Sequence, residues 1–210
     1  ATAGAGGGAA DRGGAAGPGD AAGDPAAPPE TPGPGDAAFE RVHNVVIGSN
    51  TQALLAAAEA AREAGYTTVV LTSRLVGEAR EVAKVFPAIA RDVREKGMLA
   101  APPVCVLAGG ETTVTLRDAD GRGGTGLGGR NQELLLSALR EMVVSLPGSR
   151  SAASDIIFAS VATDGNDGPT DAAGAYFDAG IVERAGRDSA ALESALLRND
   201  AYPYLDGLGA

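Results

Sequence analysis

Three short stretches of this 210-residue chain concentrate the residue types that handle anions and protons. The first is Gly109-Gly110-Glu111-Thr112-Thr113, where two glycines let the backbone approach a ligand and Glu111 and Thr112 can contact it. The second is a glycine-rich run that ends in Gly128-Gly129-Arg130-Asn131 and leads into a helix. An arginine at a helix start is poorly placed for the helix itself, because the macrodipole there favours negative charge. Its presence points to an anionic ligand, since a guanidinium grips two phosphate oxygens at once and backbone N–H groups at the helix start add to the grip. The third is Thr163-Asp164-Gly165-Asn166-Asp167-Gly168-Pro169-Thr170-Asp171, with three aspartates in eight residues after an apolar run. Carboxylates crowded this closely repel one another unless a cation or a set of backbone donors relieves them.

Each stretch also has a plainer reading. The glycine run matches G-x-G-x-x-G twice, at 121–126 and 124–129. It lacks the tight strand-to-helix turn of a dinucleotide fingerprint, and no G-K-[ST] follows to make a Walker A loop. The aspartate stretch is not an EF-hand, because Pro169 stands at the sixth position and Ala175 at the twelfth. Asp, Asn, Gly and Pro are turn formers in their own right, and a glycine pair between apolar runs is a β-bulge or turn. Gly48-Ser49-Asn50 reads as a helix N-cap. His43, the single histidine, sits at a strand edge, and the single Cys105 reads as a small hydrophobe in mid-strand.

These stretches need elements to hold them. Residues 42–47 form a β-branched run read as a strand, 51–64 an alanine-rich helix closed by Gly65, and 67–72 a second strand. Residues 77–96 carry Val82, Val85, Ile89 and Val93 at helical spacing, with Pro87 expected to kink or split the helix. Residues 104–108 read as a strand broken by Gly109-Gly110, and 111–117 as another from their Thr/apolar alternation. An amphipathic helix follows over 131–146, with Leu134, Leu135, Ala138, Leu139 and Met142 on one face. Residues 156–162 read as a strand, and 178–185 and 189–197 as short helices; 200–210 has no clear period. Strands alternating with helices predict a layered α/β fold with a mixed or largely parallel sheet. In such sheets ligands bind where loops leave the C-terminal ends of strands, which is where all three stretches fall.

Composition narrows the function classes. A net charge of -10 argues against nucleic acid or anionic membrane as partner and makes Mg²⁺ a natural companion of clustered carboxylates. Residues 1–38 hold no aliphatic side chain larger than alanine and are expected to be a disordered linker or insertion. No apolar run spans a bilayer and no secretory signal is visible; the compartment stays open, with cytoplasmic or mitochondrial as the expectation.

Taken together, residues 104–114, Gly128-Gly129-Arg130-Asn131-Gln132-Glu133, and Thr163 through Ala175 resemble the class II glycerate kinase family and its MOFRL domain. Residues 44–50 and 77–83 resemble the end of that family's N-terminal domain. The resemblance implies residues 39–100 as the close of a Rossmann-like domain and 101–210 as a MOFRL domain cut short at its end. It implies ATP- and Mg²⁺-dependent phosphorylation of D-glycerate to 2-phosphoglycerate in a cleft between the two. By motif, Arg130 and Asp164 are the implied catalytic residues. Gly109, Gly110, Glu111, Thr112, Gly129, Asn131 and Asp167 are the implied substrate or phosphate contacts, with the metal ligands unknown. The family's lysine-bearing N-terminal domain is expected as a missing partner, without which these 210 residues are inactive. Family members also carry hydroxypyruvate reductase names, so an NAD(P)H-dependent reductase is the alternative, with a non-catalytic binding remnant behind it.

Overall fold

The computed structural model describes residues 31–116, 126–145 and 155–210. Most of the expected linker, residues 1–30, lies outside them, as does most of the glycine run. The chain divides into two compact units, Ala1–Val45 and Val46–Ala210. In the first, the described residues are all exposed. Their one element is a 3-10 turn at Ala37–Phe39, capped by Asp36, whose carboxylate accepts the Ala38 N–H at 2.8 Å. The strand expected over 42–47 does not form. Val46 and Ile47 are 85% and 95% exposed. A β-branched run becomes a strand only when another strand satisfies its backbone, and none among the described residues does so.

The second unit begins with α1 (Asn50–Glu63), which Ser49 caps by accepting the Gln52 N–H at 3.3 Å, as the sequence predicts. Leu54 and Ala58, one turn apart, are its buried face. The chain reverses at Gly65 (φ +90°) into β1 (Thr67–Leu75). After α2 (Ala79–Val82) and α3 (Val85–Lys96) it returns as β2 (Val104–Gly110), parallel to β1 in a register from Thr67 opposite Val104 to Leu75 opposite Gly110. The helical stretch does split, but at Ala83 and Lys84 rather than at Pro87. Pro87 is the third residue of α3, where its missing N–H would have no helical partner anyway. Gly109 and Gly110 are the last residues of β2 rather than a break in it.

The strand expected over 111–117 is also absent from the described part, residues 111–116. Only Thr113 makes a bridge, parallel to Glu78. Its N–H donates to the Gly77 carbonyl (2.9 Å), its carbonyl accepts the Ala79 N–H (2.8 Å), and the Glu78 carboxylate accepts both the backbone N–H and the hydroxyl of Thr115 at 3.0 Å. The turn ahead of α2 thus consumes the groups a strand would have offered.

The centre of the unit is α4 (Arg130–Ser145). One apolar face is expected, yet every residue from Gln132 to Leu139 is buried. The helix is surrounded by α2, α3, β3 (Phe158–Val161), β4 (Gly174–Phe177), α5 (Ala179–Gly186), α6 (Ser189–Leu197) and α7 (Ala201–Leu208). β3 and β4 form an antiparallel pair. Phe158 lies between Phe86 and Phe177, with ring centroids 5.6 and 5.4 Å apart, at spacings where aromatic contacts add to burial. The fold is α/β as expected, with one parallel pair and one separate antiparallel pair among the described residues. β4 and α7 are elements the sequence reading does not find. Among the described residues, no helix is long and apolar enough to cross a membrane.

Candidate functional site

Arg130 opens α4, and the carboxylate of Asp167 closes that helix end. Asp167 Oδ1 accepts the Asn131 N–H and the Asn131 side-chain amide, both at 3.0 Å, and Oδ2 accepts the Gln132 N–H at 2.8 Å. Asp167 is only 1% exposed. The expected free N–H groups at the α4 start are therefore not free: an internal carboxylate takes the place a ligand anion would occupy. Gln132 completes the turn, its Oε1 accepting the Gly129 N–H (3.2 Å) and its Nε2 donating to the Thr170 hydroxyl (3.0 Å). Thr170 in turn donates to the Asp167 carbonyl at 2.8 Å. The repulsion expected among the aspartates is relieved by backbone donors for Asp167 and by the Tyr202 phenol for Asp171, at 2.6 Å. That hydrogen bond first, and the Asp171 charge second, hold the Tyr202 phenol above its ordinary ionisation range.

Glycines here make room for neighbouring protein atoms. A Cβ on Gly129 would lie 2.2 Å from Asp167 Cγ, and one on Gly126 would lie 2.2 Å from the Arg198 carbonyl oxygen. Gly168 adopts φ +63° against Gly128. The Leu127 N–H donates to Asp200 (2.9 Å) and its carbonyl accepts the Tyr202 N–H (2.9 Å). The end of the glycine run is thus wedged between the aspartate loop and the corner joining α6 to α7. Asn199, at that corner, holds φ +54° while buried. These wedge residues (Asn199, Asp200, Tyr202) are missed by the sequence reading, since no local pattern marks a corner that sits more than sixty residues from its partner.

With its backbone locked, Arg130 leaves its guanidinium accessible. The side chain is 47% exposed and pairs with Glu111 at 2.5 Å; Glu111 itself is 73% exposed. Glu111 follows β2, where its N–H donates to the Leu75 carbonyl at 2.8 Å. Gly110 turns the chain there with φ +156°, where a Cβ would lie 2.1 Å from the Leu75 carbonyl oxygen, and Gly109 leaves space for the Asn50 side chain. Asn50 donates to the Ser73 carbonyl (2.7 Å) and so pins α1 to β1. Thr112 is buried. Asp164 is exposed, accepts the Asn166 N–H at 3.4 Å within its own loop, and forms no ion pair with Arg130. The structure therefore joins Arg130 to Glu111, and Gly129 and Asn131 to Asp167, while Asp164 stands apart. His43 is exposed and Cys105 is a half-buried free thiol. Among the described residues, no group of three or more His, Cys, Asp or Glu could hold a metal ion.

An accessible arginine beside a strand-end carboxylate, on a rigid helix start, is suited to binding a phosphate or carboxylate. The chain is 36% identical over 170 residues to glycerate 2-kinase of Pyrococcus horikoshii, covering 80% of this chain and 35% of the relative. It is 40% identical over 189 residues to an Agrobacterium vitis protein that carries a hydroxypyruvate reductase name, covering 86% of this chain and 38% of that one. The crystal structure of glycerate kinase from Thermotoga maritima superposes with a TM-score of 0.66 at 34% identity, over 78% of this chain and 36% of the other. The chain thus spans about a third of the length of these relatives. Residues 104–210, from the first residue of β2 through α4, the aspartate loop and α7, match the MOFRL family, and the chain belongs to it.

Proposed function

We propose that this chain supplies the arginine-bearing side of the active site of an ATP-dependent kinase that converts D-glycerate to 2-phosphoglycerate. In this reading residues 39–100 close an N-terminal nucleotide-side domain and residues 101–210 are the MOFRL part. The remaining cleft residues come from the length the relatives have beyond this match. The observation that carries the reading is Arg130, an accessible guanidinium whose backbone is fixed and whose partner, Glu111, is itself exposed and displaceable. Phosphoryl transfer asks a protein chiefly for positioning and charge neutralisation. ATP, when bound, supplies the phosphoryl group. Arg130 binds its oxygens, and the Gly109-Gly110 strand end, Glu111 and Thr112 shape the floor beside it. The exposed carboxylate of Asp164 orients the sugar acid. Among the described residues no group of three or more His, Cys, Asp or Glu could hold a metal ion, and no step is assigned to Mg²⁺.

The hydroxypyruvate reductase reading rests on the name of the Agrobacterium vitis relative. Against it, the glycines Gly126 and Gly129 are consumed by packing on Arg198 and Asp167 rather than left open for a pyrophosphate. The test is a graft of residues 46–210 in place of the matching segment of the Pyrococcus horikoshii kinase. D-glycerate-dependent ADP release by the graft, with none from the 210 residues alone, is the expected result. NADH oxidation with hydroxypyruvate, and no ADP release, overturns the kinase reading.

A further inference from the structure

We propose that Asp167 is a positioning residue that acts through Arg130, and that Ser160 and Asn131 form with it a relay that aims the arginine. The inference rests on Arg130 being the anion-binding residue of the proposed kinase.

Three observations carry it. First, the Asp167 carboxylate is buried and accepts three N–H groups from Asn131 and Gln132, the two residues that follow Arg130. Both oxygens of the carboxylate are thus engaged inside the fold. Second, the relay continues outward: the Ser160 hydroxyl on β3 donates to Asn131 Oδ1 at 2.8 Å, while Asn131 Nδ2 donates to Asp167. The side-chain amide is thereby oriented from both ends, so both Asn131 and Asp167 are occupied inside the fold. Third, Gly129 lies so close that a Cβ would fall 2.4 Å from Asp167 Oδ1. The carboxylate therefore sits against the residue before Arg130 as well as the two after it. The usual helix N-cap is supplied by the residue immediately before the helix, as Ser49 does for α1. This cap comes from a loop 36 residues away and grips both sides of one arginine. Its geometry sets where the guanidinium emerges relative to the end of β2 and Glu111.

The test is a double-mutant cycle on the graft of residues 46–210 into the Pyrococcus horikoshii kinase, with Asp167→Asn, Arg130→Lys and the pair together. Asp167→Asn keeps the size and one acceptor but loses the second, so the α4 start is free to shift. A misplacement of about 1 Å costs on the order of 10²-fold in rate, and a partly retained cap is expected to cost on the order of 10-fold in kcat. In the Arg130→Lys background the same change is expected to cost about 2-fold or less, because the group being aimed is already lost. Equal losses in both backgrounds overturn the positioning role and leave Asp167 as a structural cap. An Arg130→Lys variant with kcat and the KM for glycerate both unchanged refutes the function of Arg130 instead, so the two failures are separate. Should Asp167→Asn fail to fold, Ser160→Ala is run through the same cycle. It removes only the outer link and is expected to lower kcat about 3-fold with an unchanged melting temperature. A Ser160→Ala loss that persists in the Arg130→Lys background, or none in either, overturns the relay.

Discussion

Arg130 shows how two roles divide within one residue. Its backbone stands one residue ahead of N–H groups that Asp167 caps, while its side chain is accessible and pairs, among the described residues, with an exposed carboxylate. An exposed pair of this kind stabilises a protein by about 0–1 kcal/mol, so stability gives it little to do. Replacing Arg130 with Lys keeps the charge but removes the planar fork. If the residue acts on the transferred phosphoryl group, kcat and kcat/KM fall together, on the order of 10²-fold, less than the about 10³–10⁵ of arginine fingers that carry the charge alone. Steady-state kinetics on the graft checks this. A rise in the KM for glycerate with kcat unchanged would make Arg130 the anchor of the substrate carboxylate. The sequence places this arginine at a helix start, and that reading holds. The sequence does not reveal that the helix end is closed by Asp167, because an N-cap supplied from 36 residues away leaves no local signature.

At the scale of elements, the long periodic segments were legible and the short ones were not. α1, α4, β1 and β2 each carry a period or a bounded apolar run. β4 has four residues, Gly-Ala-Tyr-Phe, and α7 contains Pro203 and Gly207, both helix breakers by propensity. Pro203 is the third residue of α7, where it is tolerated, and packing decides the rest. The two strands read in excess, at 42–47 and 111–117, have β propensity without a partner strand among the described residues. Two glycines test the distinction between room and freedom. Gly129→Ala forces a contact on Asp167 and is expected to destabilise by about 1–3 kcal/mol, as overpacking does. Gly207→Ala, in α7 with no atom within 4 Å of the new Cβ, is expected to stabilise by about 0.5–1 kcal/mol. Urea denaturation of both variants gives the signs. The link from α7 to the aspartate loop has its own readout. Because Asp171 raises the ionisation of Tyr202, the contribution of this hydrogen bond is complete below about pH 10, the unfolded phenol value, and is lost as pH rises through the higher folded value. Asp171→Ala is expected to shift the Tyr202 component of an alkaline absorbance titration downward, while Tyr202→Phe deletes that component.

For the whole second unit, the decisive contact is a buried ion pair that joins the β1–β2 side to the helices around α4. Arg80, on the short helix after β1, donates to Glu133 of α4 and to the Leu196 carbonyl of α6 at 2.9 Å. Its own carbonyl accepts the Ser137 hydroxyl (2.9 Å), and Asn199 at the α6–α7 corner donates to Glu133 at 3.3 Å. Both charged side chains are nearly excluded from water. Water-excluded charges are costly, and their attraction offsets that cost only while both are present. Glu133→Leu alone therefore leaves a guanidinium buried without its counter-ion and is expected to destabilise by about 3–5 kcal/mol. Changing Arg80→Met together with Glu133→Leu replaces the pair by apolar groups of similar length and is expected to recover most of that loss. The Asn199 amide keeps the Thr115 carbonyl, 3.4 Å away, as an acceptor. Equilibrium unfolding of the single and double variants decides the matter. A double variant as unstable as the single one would mean that the pair contributes more than charge neutralisation. In that case the register of α2 against α4, and with it the approach of the β2 end and Glu111 to Arg130, depends on this polar joint. A double variant near wild type would mean instead that packing alone sets the register, and that Arg80 and Glu133 neutralise one another inside it.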